Sequence, residues 1–351
     1  MSPEQVLYLI YLDNDVISGL KKFITYTLFF AAAWASPSFS HHGNFTYDGN
    51  TVITLQGEVI KFNYTNPHGS IILRTETGRE VDIEVDGPSL IAPMGTDRNA
   101  LQPGDRIVVY VSPNNIGREN EVLGREVIRE DGSIVLVSVA YARQQERDNV
   151  EKAETVLGTW VPVRTNLFAF VDSSSDWLLT PAGQASFDAY DTSKAFAQAQ
   201  CIAATSPTLM MYPTANRLTE VGGHIEINAD WMGATRTVYM DGREHPGLES
   251  RFYQGHSVGH WEDETLVIET TNFTDNPIGN IFSIGSGAGK KLIERISLDA
   301  DGSTATYSFT LMDPDYLAQP VTGSYQWDYR PDVSMSSQEC DLEAAARYLQ
   351  D

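Results

Sequence analysis

The sequence predicts an all-β protein built from two modules, an OB-like small barrel followed by a lipocalin-like antiparallel β-barrel with one helix. Three observations support this prediction. Segments in which apolar and polar residues alternate recur from residue 51 onwards, with turn pairs such as Asp241-Gly242 between them. A polar, charged stretch at residues 140–155 separates these segments into two groups. The second group begins with a Gly-x-Trp motif at Gly158, which is also how lipocalin-like barrels begin.

Residues 1–40 have the layout of a secretory signal peptide, with basic residues, an apolar run and small residues at a cleavage site. These features lie at Lys21 and Lys22, at residues 23–35, and at Ser38 and Ser40. The run is too short to span a bilayer comfortably as a helix. We therefore expect cleavage after Ser40, no stable membrane span afterwards, and a periplasmic or secreted protein. Acidic residues near the N-terminus fit such a peptide poorly, so an over-extended start and an uncleaved anchor are competing hypotheses.

Residues 41–139 form the predicted OB-like domain. Its predicted strands are residues 51–55, 57–64, 69–75, 80–85 and 106–111. Turn signals such as Thr77-Gly78 and Pro103-Gly104 separate them. Five or six short strands in a segment of this length are typical of a small closed barrel.

Residues 140–155 are predicted to be a linker, and residues 156–351 the lipocalin-like barrel domain. Thr180 is a good N-cap residue, and Pro181 suits the first helical position, so the helix is predicted to start there and to end near residue 200. Strand patterns separated by turn signals then run from residue 218 to residue 329. A meander of this length is long enough to close into a barrel.

The 351-residue chain carries 24 basic and 47 acidic residues, a formal net charge of −23. No basic run occurs, which argues against binding nucleic acid through its phosphates. An acidic surface favours solubility and attracts metal cations. We expect a small-molecule ligand as partner, and the sequence leaves the oligomeric state open.

Two cysteines occur, Cys201 and Cys340. An even pair in an exported chain favours a disulfide. Both fall in the second predicted domain, so the bridge is expected to close that domain. The alternative is two buried thiols that act as small apolar side chains.

Several short motifs carry a family resemblance. In the first half they are His41-His42, residues 57–59, residues 65–68 and residues 101–105, and in the second half residues 241–246, 255–262, 263–266 and Glu294-Arg295. On these motifs the chain resembles a family of uncharacterised exported bacterial proteins. The resemblance covers most of the chain beyond residue 40 and implies export and the two-module architecture, with no activity to carry over. Glu264 departs from it, because a shorter acid is expected there.

The pattern around residues 256–271 predicts a catalytic face. Side chains alternate along a strand, so His256 and His260 share one face, and a two-residue turn at Asp263-Glu264 places Glu269 opposite Val258. A carboxylate beside a histidine is a standard general acid–base arrangement. We therefore predict that His256, His260 and Glu269 line the interior of the second barrel as catalytic residues. The competing interpretation is a solvated strand face.

Two further sets of residues are candidate ligands. Arg236, Tyr239 and Trp261 are predicted to bind the small molecule. His41 and His42 at the mature N-terminus, together with His68 on a turn, could hold copper or zinc through imidazole and amino nitrogens. A mobile N-terminus whose histidines have no role is the alternative.

These patterns favour a periplasmic small-molecule binding protein, or an acid–base enzyme of isomerase, cyclase or dehydratase type, acting on a small apolar ligand in the second barrel. One alternative is a metal-binding accessory protein that uses the N-terminal histidines, with copper or zinc as its ion. The other is a structural envelope protein without catalysis.

Overall fold

The computed structural model describes residues 47–115, 117–141, 151–190, 200–336 and 339–347. It is mostly β, with 45% strand and 13% helix, and it contains a closed barrel of five strands and a closed barrel of nine strands. The predicted fold class is therefore confirmed. The predicted signal peptide, His41 and His42 lie outside the described residues. None of the helices in the described ranges is long and apolar enough to cross a membrane.

The first barrel occupies the OB-like part of the chain. Its strands are β1 (Ile53–Asn63), β2 (His68–Thr75), β3 (Glu80–Asp86), β4 (Arg106–Pro113), β5 (Glu121–Arg129) and β6 (Ile134–Val135). They follow the order β3-β2-β1-β4-β5-β6, and a parallel pairing of β3 with β5 closes the first five into a barrel. A short helix, α1 (Pro88–Ile91), lies between β3 and β4. Because side chains alternate along β2 and β3, those of Ile71, Leu73 and Ile83 point into a dry aliphatic core.

The second barrel contains nine strands that neighbour one another in chain order. They are β7 (Gly158–Pro162), β8 (Asn216–Val221), β9 (His224–Ala229), β10 (Ala234–Tyr239), β11 (His256–Glu262), β12 (Thr265–Thr271), β15 (Lys291–Leu298), β16 (Thr304–Met312) and β17 (Val321–Tyr329). A separate two-stranded sheet, β13 (Asn276–Ile281) and β14 (Ile284–Ser286), is inserted after β12. The pairing of β17 with β7 closes the barrel.

One junction in this wall differs from the antiparallel pattern that the sequence predicts. Strands β10 and β11 run parallel and pair only through Val238 with Ser257 and Tyr239 with Val258. The segment between them, residues 240–255, must therefore cross from one end of the barrel to the other before β11 begins. We call the β10–β11 junction the seam.

The second module contains more than the one helix predicted. Helix α2 (Asn166–Ser173) precedes the predicted one, α3 (Pro181–Asp188), and α4 (Leu342–Ala346) follows the barrel. Thr180 caps α3 as expected, because its side chain accepts a hydrogen bond from the Gly183 amide. Aromatic rings fill the space between α2 and the strands. Phe170 of α2 lies edge-on to Phe309, and Tyr307 stacks on Trp327 with ring centroids 4.9 Å apart.

The predicted disulfide between Cys201 and Cys340 is confirmed, with its Cα atoms 5.7 Å apart. Both cysteines lie in the second predicted domain, and the segment around Cys340 also contacts the first barrel. Cys340 forms a parallel bridge with Asn66 of the first barrel, and the Asp341 amide donates a hydrogen bond to the Asn66 carbonyl. The guanidinium of Arg347 then reaches the Ser70 hydroxyl. The bond therefore ties the segment before β8 to a C-terminal strap, residues 339–347, that lies on the first barrel.

Candidate functional site

The β11–β12 hairpin forms with the register that the sequence predicts. Glu262 pairs with Thr265, so the turn is the two residues Asp263 and Glu264, and Val258 pairs with Glu269. Asp263 has a φ of 53°, in the left-handed region that tight hairpin turns require and that Asp tolerates better than most residues.

The predicted interior position of His256, His260 and Glu269 is wrong. Ser257, Leu266, Ile268 and Thr270 are buried and share the inner face of this hairpin. Alternation therefore turns the two histidines and Glu269 to the outer face. Burial of a leucine or isoleucine side chain stabilises the fold by about 1.5–3 kcal/mol, whereas a buried, unpaired charge is costly, so the apolar residues decide which face is inside.

The structure separates His260 from His256. His260 lies near the turn, 63% exposed, with its Nε2 atom 3.3 Å from the carboxylate of Glu262. Trp261, the next residue, lies on the face of Leu266 at the end of the strand and is 44% exposed. His256 is at the opposite end of β11. The predicted set thus occupies two distant places on the outer face.

Arg236 lies inside the second barrel, apart from the histidines on the outer face. Its guanidinium is inside the barrel, where it forms a two-armed ion pair with Glu294 (Nη2–Oε1 3.0 Å). The Tyr307 hydroxyl donates a further hydrogen bond of 2.9 Å to the same carboxylate. Because Arg236 and Glu294 are 3% and 0% exposed, this pair belongs to the core and cannot contact a ligand on the outer face.

Tyr239 and His256 do come together, with partners that the sequence pattern did not indicate. His245, from the segment that crosses between β10 and β11, places its Nδ1 atom 2.9 Å from the Nδ1 atom of His256. We define the outer histidine site as the residues around this contact: His224, Tyr239, His245, Phe252, His256 and Glu269. All of them lie on the outer face or on the crossing segment.

Aromatic contacts hold the rings of this site in place. Tyr239 stacks on His256 with centroids 5.1 Å apart and an interplanar angle of 24°. His224 meets the edge of Tyr239, and the Arg243 guanidinium lies 3.8 Å from the Tyr239 centroid. Phe252, 44% exposed, approaches His256 from the crossing segment. The site is therefore a partly exposed cluster of aromatic rings.

The charges around the site are paired, and the surroundings of His256 favour its neutral form. Glu269 binds Lys291 at 2.6 Å and lies 3.5 Å from the Nε2 atom of His245. Burial lowers the pKa of His256, and the nearby His245 and Arg243 lower it further. A neutral imidazole keeps one nitrogen lone pair, which can accept a hydrogen bond or bind a metal ion.

The crossing segment is fixed from both sides. Asn272, buried and in the left-handed region with a φ of 58°, points its amide nitrogen at the carbonyls of Pro246, Gly247 and Ser250, at 3.0–3.2 Å. On the other side the Tyr253 hydroxyl donates to the Ala203 carbonyl at 2.8 Å. His245 is thus held against His256 by a rigid loop.

The proposed N-terminal metal ligands can be described only at His68. This residue begins β2, and its Nδ1 atom lies 3.0 Å from Glu84. Burial by itself would lower the pKa of His68, but the hydrogen bond to Glu84 and its charge raise it above the usual value. Within the described ranges no group of three or more His, Cys, Asp or Glu side chains is arranged to hold a metal ion.

The motif at residues 241–246 is the sequence signal for His245, the partner of His256 that the strand pattern did not indicate. His245 precedes Pro246 in a connection long enough to fold back on β11. What alternation could not show is where such a connection returns, because that depends on Asn272 and on contacts with residues 203–204.

Comparison with known proteins identifies no function. A model of a family of unknown function, DUF6152, matches residues 30–123. No curated protein matches this chain. A solved structure that matches is a luciferase domain from the dinoflagellate Lingulodinium polyedrum, at 13% identity, with 56% of this chain and 49% of that chain covered. The chain thus spans about half of that protein's length, and the TM-score of 0.27 is too low to support an argument.

Proposed function

We propose that the protein binds a small ligand on the outer face of its nine-stranded barrel, at the outer histidine site. The observation that carries this proposal is the convergence of His245 and His256, with Nδ1 atoms 2.9 Å apart, on a rigid aromatic surface. Two adjacent imidazole nitrogens form a directional polar group inside an apolar rim. That combination is typical of small-molecule sites.

Binding is better supported than catalysis in a dry interior. The interior between α2 and the strands holds Phe170, Tyr307 and Trp327, all of them fully buried. The histidines face outward, where water reaches them, so an isomerase, cyclase or dehydratase mechanism that needs water excluded lacks its setting. The proposed ligand is therefore recognised at the surface by a planar or hydrogen-bonding group.

The experiment is ligand-observed NMR of the purified protein with a set of small heteroaromatic compounds and planar acids. We expect saturation transfer from the protein to some of these probes. The signal should fall strongly in His256→Ala, which removes both the imidazole pair and the stack on Tyr239. His260→Ala is the matched control, because it removes a histidine from the same strand and the same face.

Three results would contradict the proposal. One is the absence of saturation transfer to any probe. The second is equal loss in His256→Ala and in His260→Ala. The third is unchanged transfer in His256→Ala while near-UV circular dichroism shows that the variant is folded.

We further propose that this binding takes place in the periplasm or outside the cell, and that residues 41–139 and 156–351 act as separate domains joined by residues 140–155. The support is the order of basic, apolar and small residues in residues 1–40. N-terminal sequencing of the exported protein should show His41 as its first residue. A precursor that stays uncleaved in the cytoplasm would contradict the location.

A further inference from the structure

We infer that the ligand of the outer histidine site is an aromatic carboxylate, bound through a hydrogen bond from the Nε2 atom of His256. This ligand class rests on the proposed function, because it concerns the same site. Binding of a carboxylate at this nitrogen is coupled to the uptake of one proton by His256.

The contact between His245 and His256 is a hydrogen bond in which only one of the two Nδ1 atoms carries a proton. These atoms lie 2.9 Å apart while the ring centroids are 5.1 Å apart, so the imidazoles meet head-on. A neutral imidazole has one N–H donor and one acceptor nitrogen. In the neutral pair, the ring that donates from Nδ1 therefore keeps a lone pair on its Nε2 atom.

Glu269 determines which of the two rings is the donor. Its Oε1 atom lies 3.5 Å from the Nε2 atom of His245, and an ionised carboxylate offers only acceptors. The Nε2 atom of His245 therefore carries the proton of that ring, and its Nδ1 atom accepts from His256. It follows that His256 has its lone pair on Nε2. Glu269 is thus a positioning residue, held in place by Lys291 at 2.6 Å.

The Nε2 atom of His256 is open to a ligand. None of the residues that the structure describes forms a hydrogen bond with it. When this nitrogen takes a proton from solvent, one N–H bond forms and His256 becomes an imidazolium. It then donates from Nδ1 to His245 and from Nε2 to an oxygen of the ligand, which stays an anion. Hydrogen bonds between ionised partners are roughly twice as strong as neutral ones, which favours a carboxylate over an uncharged acceptor.

The aromatic part of the ligand fits the rings beside this nitrogen. Phe252 is 44% exposed, and its ring centroid lies 6.0 Å from that of His256. Tyr239 stacks on the imidazole from β10 and fixes its orientation. A ring seated on Phe252 therefore lies next to His256, and a carboxylate at the edge of that ring can reach the imidazole.

The charges around the site allow an anion to approach, although the chain as a whole carries a net charge of −23. Two ion pairs border the site, Asp241 with Arg243 and Glu269 with Lys291. The remaining titratable groups around His256 are His224, Tyr239 and His245. Acids and bases therefore balance here even when every histidine is neutral. A carboxylate is repelled less at this site than on a surface with unpaired acids.

The proton taken up by His256 makes binding depend on pH. Burial lowers the pKa of His256 below the usual 6.5, and His245 and Arg243 lower it further. A carboxylate bound at Nε2 favours the charged ring and raises this pKa. Between the pKa of the free site and that of the complex, binding takes up one proton. Affinity should therefore fall as the pH rises through this window, by up to about tenfold per pH unit.

The test is calorimetric titration of the purified full chain with benzoate, at several pH values between about 6 and 8 and in buffers of different ionisation enthalpy. We expect the uptake of up to one proton and an affinity that falls as the pH rises. Benzamide, an uncharged probe of similar shape, should bind more weakly and without this pH dependence. His256→Ala should weaken benzoate binding at least about 10-fold, the loss expected for one hydrogen bond to a charged group. His260→Ala is the matched control and should leave both probes unchanged.

Glu269→Gln tests the positioning role. A glutamine can donate or accept towards His245, so it no longer fixes the tautomers of the pair, and the imidazolium loses a nearby counter-charge. The readout is the number of protons taken up with benzoate, because the freed Lys291 also attracts an anion. We expect this number to fall in Glu269→Gln. A purely structural role would change the affinity for both probes alike and leave the proton uptake as it was.

Several results would overturn the assignment of a carboxylate. They are no binding of benzoate, binding without proton uptake, equal affinity for benzamide at the lowest pH, and undiminished benzoate binding in folded His256→Ala. If saturation transfer to heteroaromatic probes still depends on His256 in these cases, the proposed function stands and only the ligand class is wrong. If no probe depends on His256, both proposals fail.

Discussion

The two barrels have interiors of different chemistry. The five-stranded barrel is filled by branched aliphatic side chains such as Val59, Leu73 and Ile83. The nine-stranded barrel combines aliphatic side chains with large aromatic rings and with the ion pair between Arg236 and Glu294. Barrel diameter grows with strand number, so short aliphatic chains suffice in the first interior but not in the second.

The buried ion pair helps to keep the wider barrel closed. Its seam is held by only two pairs of residues. Inside the barrel, Arg236 on β10 reaches past β11 to Thr270 on β12 and to Glu294 on β15. The ion pair therefore spans the weakest part of the wall. The first barrel closes through three pairs between β3 and β5 over a continuous aliphatic core, and its largely buried pair of His68 with Glu84 joins the neighbouring strands β2 and β3.

The largest expected effect is that of Glu294→Ala. It leaves the Arg236 charge buried without a partner, which should lower the free energy of unfolding by about 3–5 kcal/mol. Ile83→Val in the first barrel removes one methylene and should cost about 0.5–1.5 kcal/mol. Urea unfolding followed by far-UV circular dichroism, which detects the strands of both barrels, measures both. The comparison between the barrels breaks if Glu294→Ala costs no more than Ile83→Val.

The next effect comes from the disulfide, which ties the C-terminal strap to the segment before β8. The Cys201→Ser, Cys340→Ser double variant removes a crosslink between residues 139 positions apart. It should lower the free energy of unfolding by about 2–4 kcal/mol. Because the C-terminal strap lies on β2, hydrogen exchange should speed up at Asn66 and Ser70. Exchange at Leu292 and Leu311 in the second barrel should change less. Equal acceleration in both barrels would show that the strap does not act on the first one.

Lys290 gives the second barrel a pH dependence. Its ammonium is buried, with Thr205 and the Ser206 carbonyl as acceptors, and burial lowers its pKa to about 7. Between that value and the usual 10.5, the unfolded chain binds one more proton than the folded chain does. Stability should therefore rise with pH in this window, by up to roughly 1.4 kcal/mol per unit.

The measurement for Lys290 is the difference in unfolding free energy between the unmodified chain and Lys290→Met at several pH values. Taking the difference between the two proteins cancels the contribution of the other groups that titrate in this pH range. The difference should change in favour of the unmodified chain from pH 7 to pH 10. A flat difference would show that the folded lysine keeps its usual pKa.

The smallest expected effect belongs to an ion pair of the same chemical type on the outer face. Arg295 and Glu262 lie 2.7 Å apart, and each is about half exposed. Exposed pairs contribute little, since water and salt screen them. Glu262→Gln should leave unfolding unchanged within error, in contrast to Glu294→Ala. A large loss would mean that burial does not explain the difference between the two pairs.

Local patterns predicted the strands, and tertiary contacts decided the site. The alternation around Asp263-Glu264 predicted the pairing of Val258 with Glu269 correctly. Alternation tells which residues share a face but not which face is buried. The burial of Leu266 and Ile268 puts His256, His260 and Glu269 on the outer face, whereas the prediction had placed them inside. The contact of His245 with His256 depends on Asn272 and on residues 203–204. Such contacts between distant segments leave no periodic signal in a single sequence.

The seam has a consequence for the fluctuations of the folded protein. A wall with one short junction opens there at a lower free energy than global unfolding requires, so the amides of Val238 and Ser257 should be among the first in the barrel to exchange. Tyr239 and His256 lie on opposite sides of this junction and stack across it. A ligand that touches both would bind only the closed wall. By mass action, the opening of the seam would then become slower as the fraction of protein with bound ligand rises.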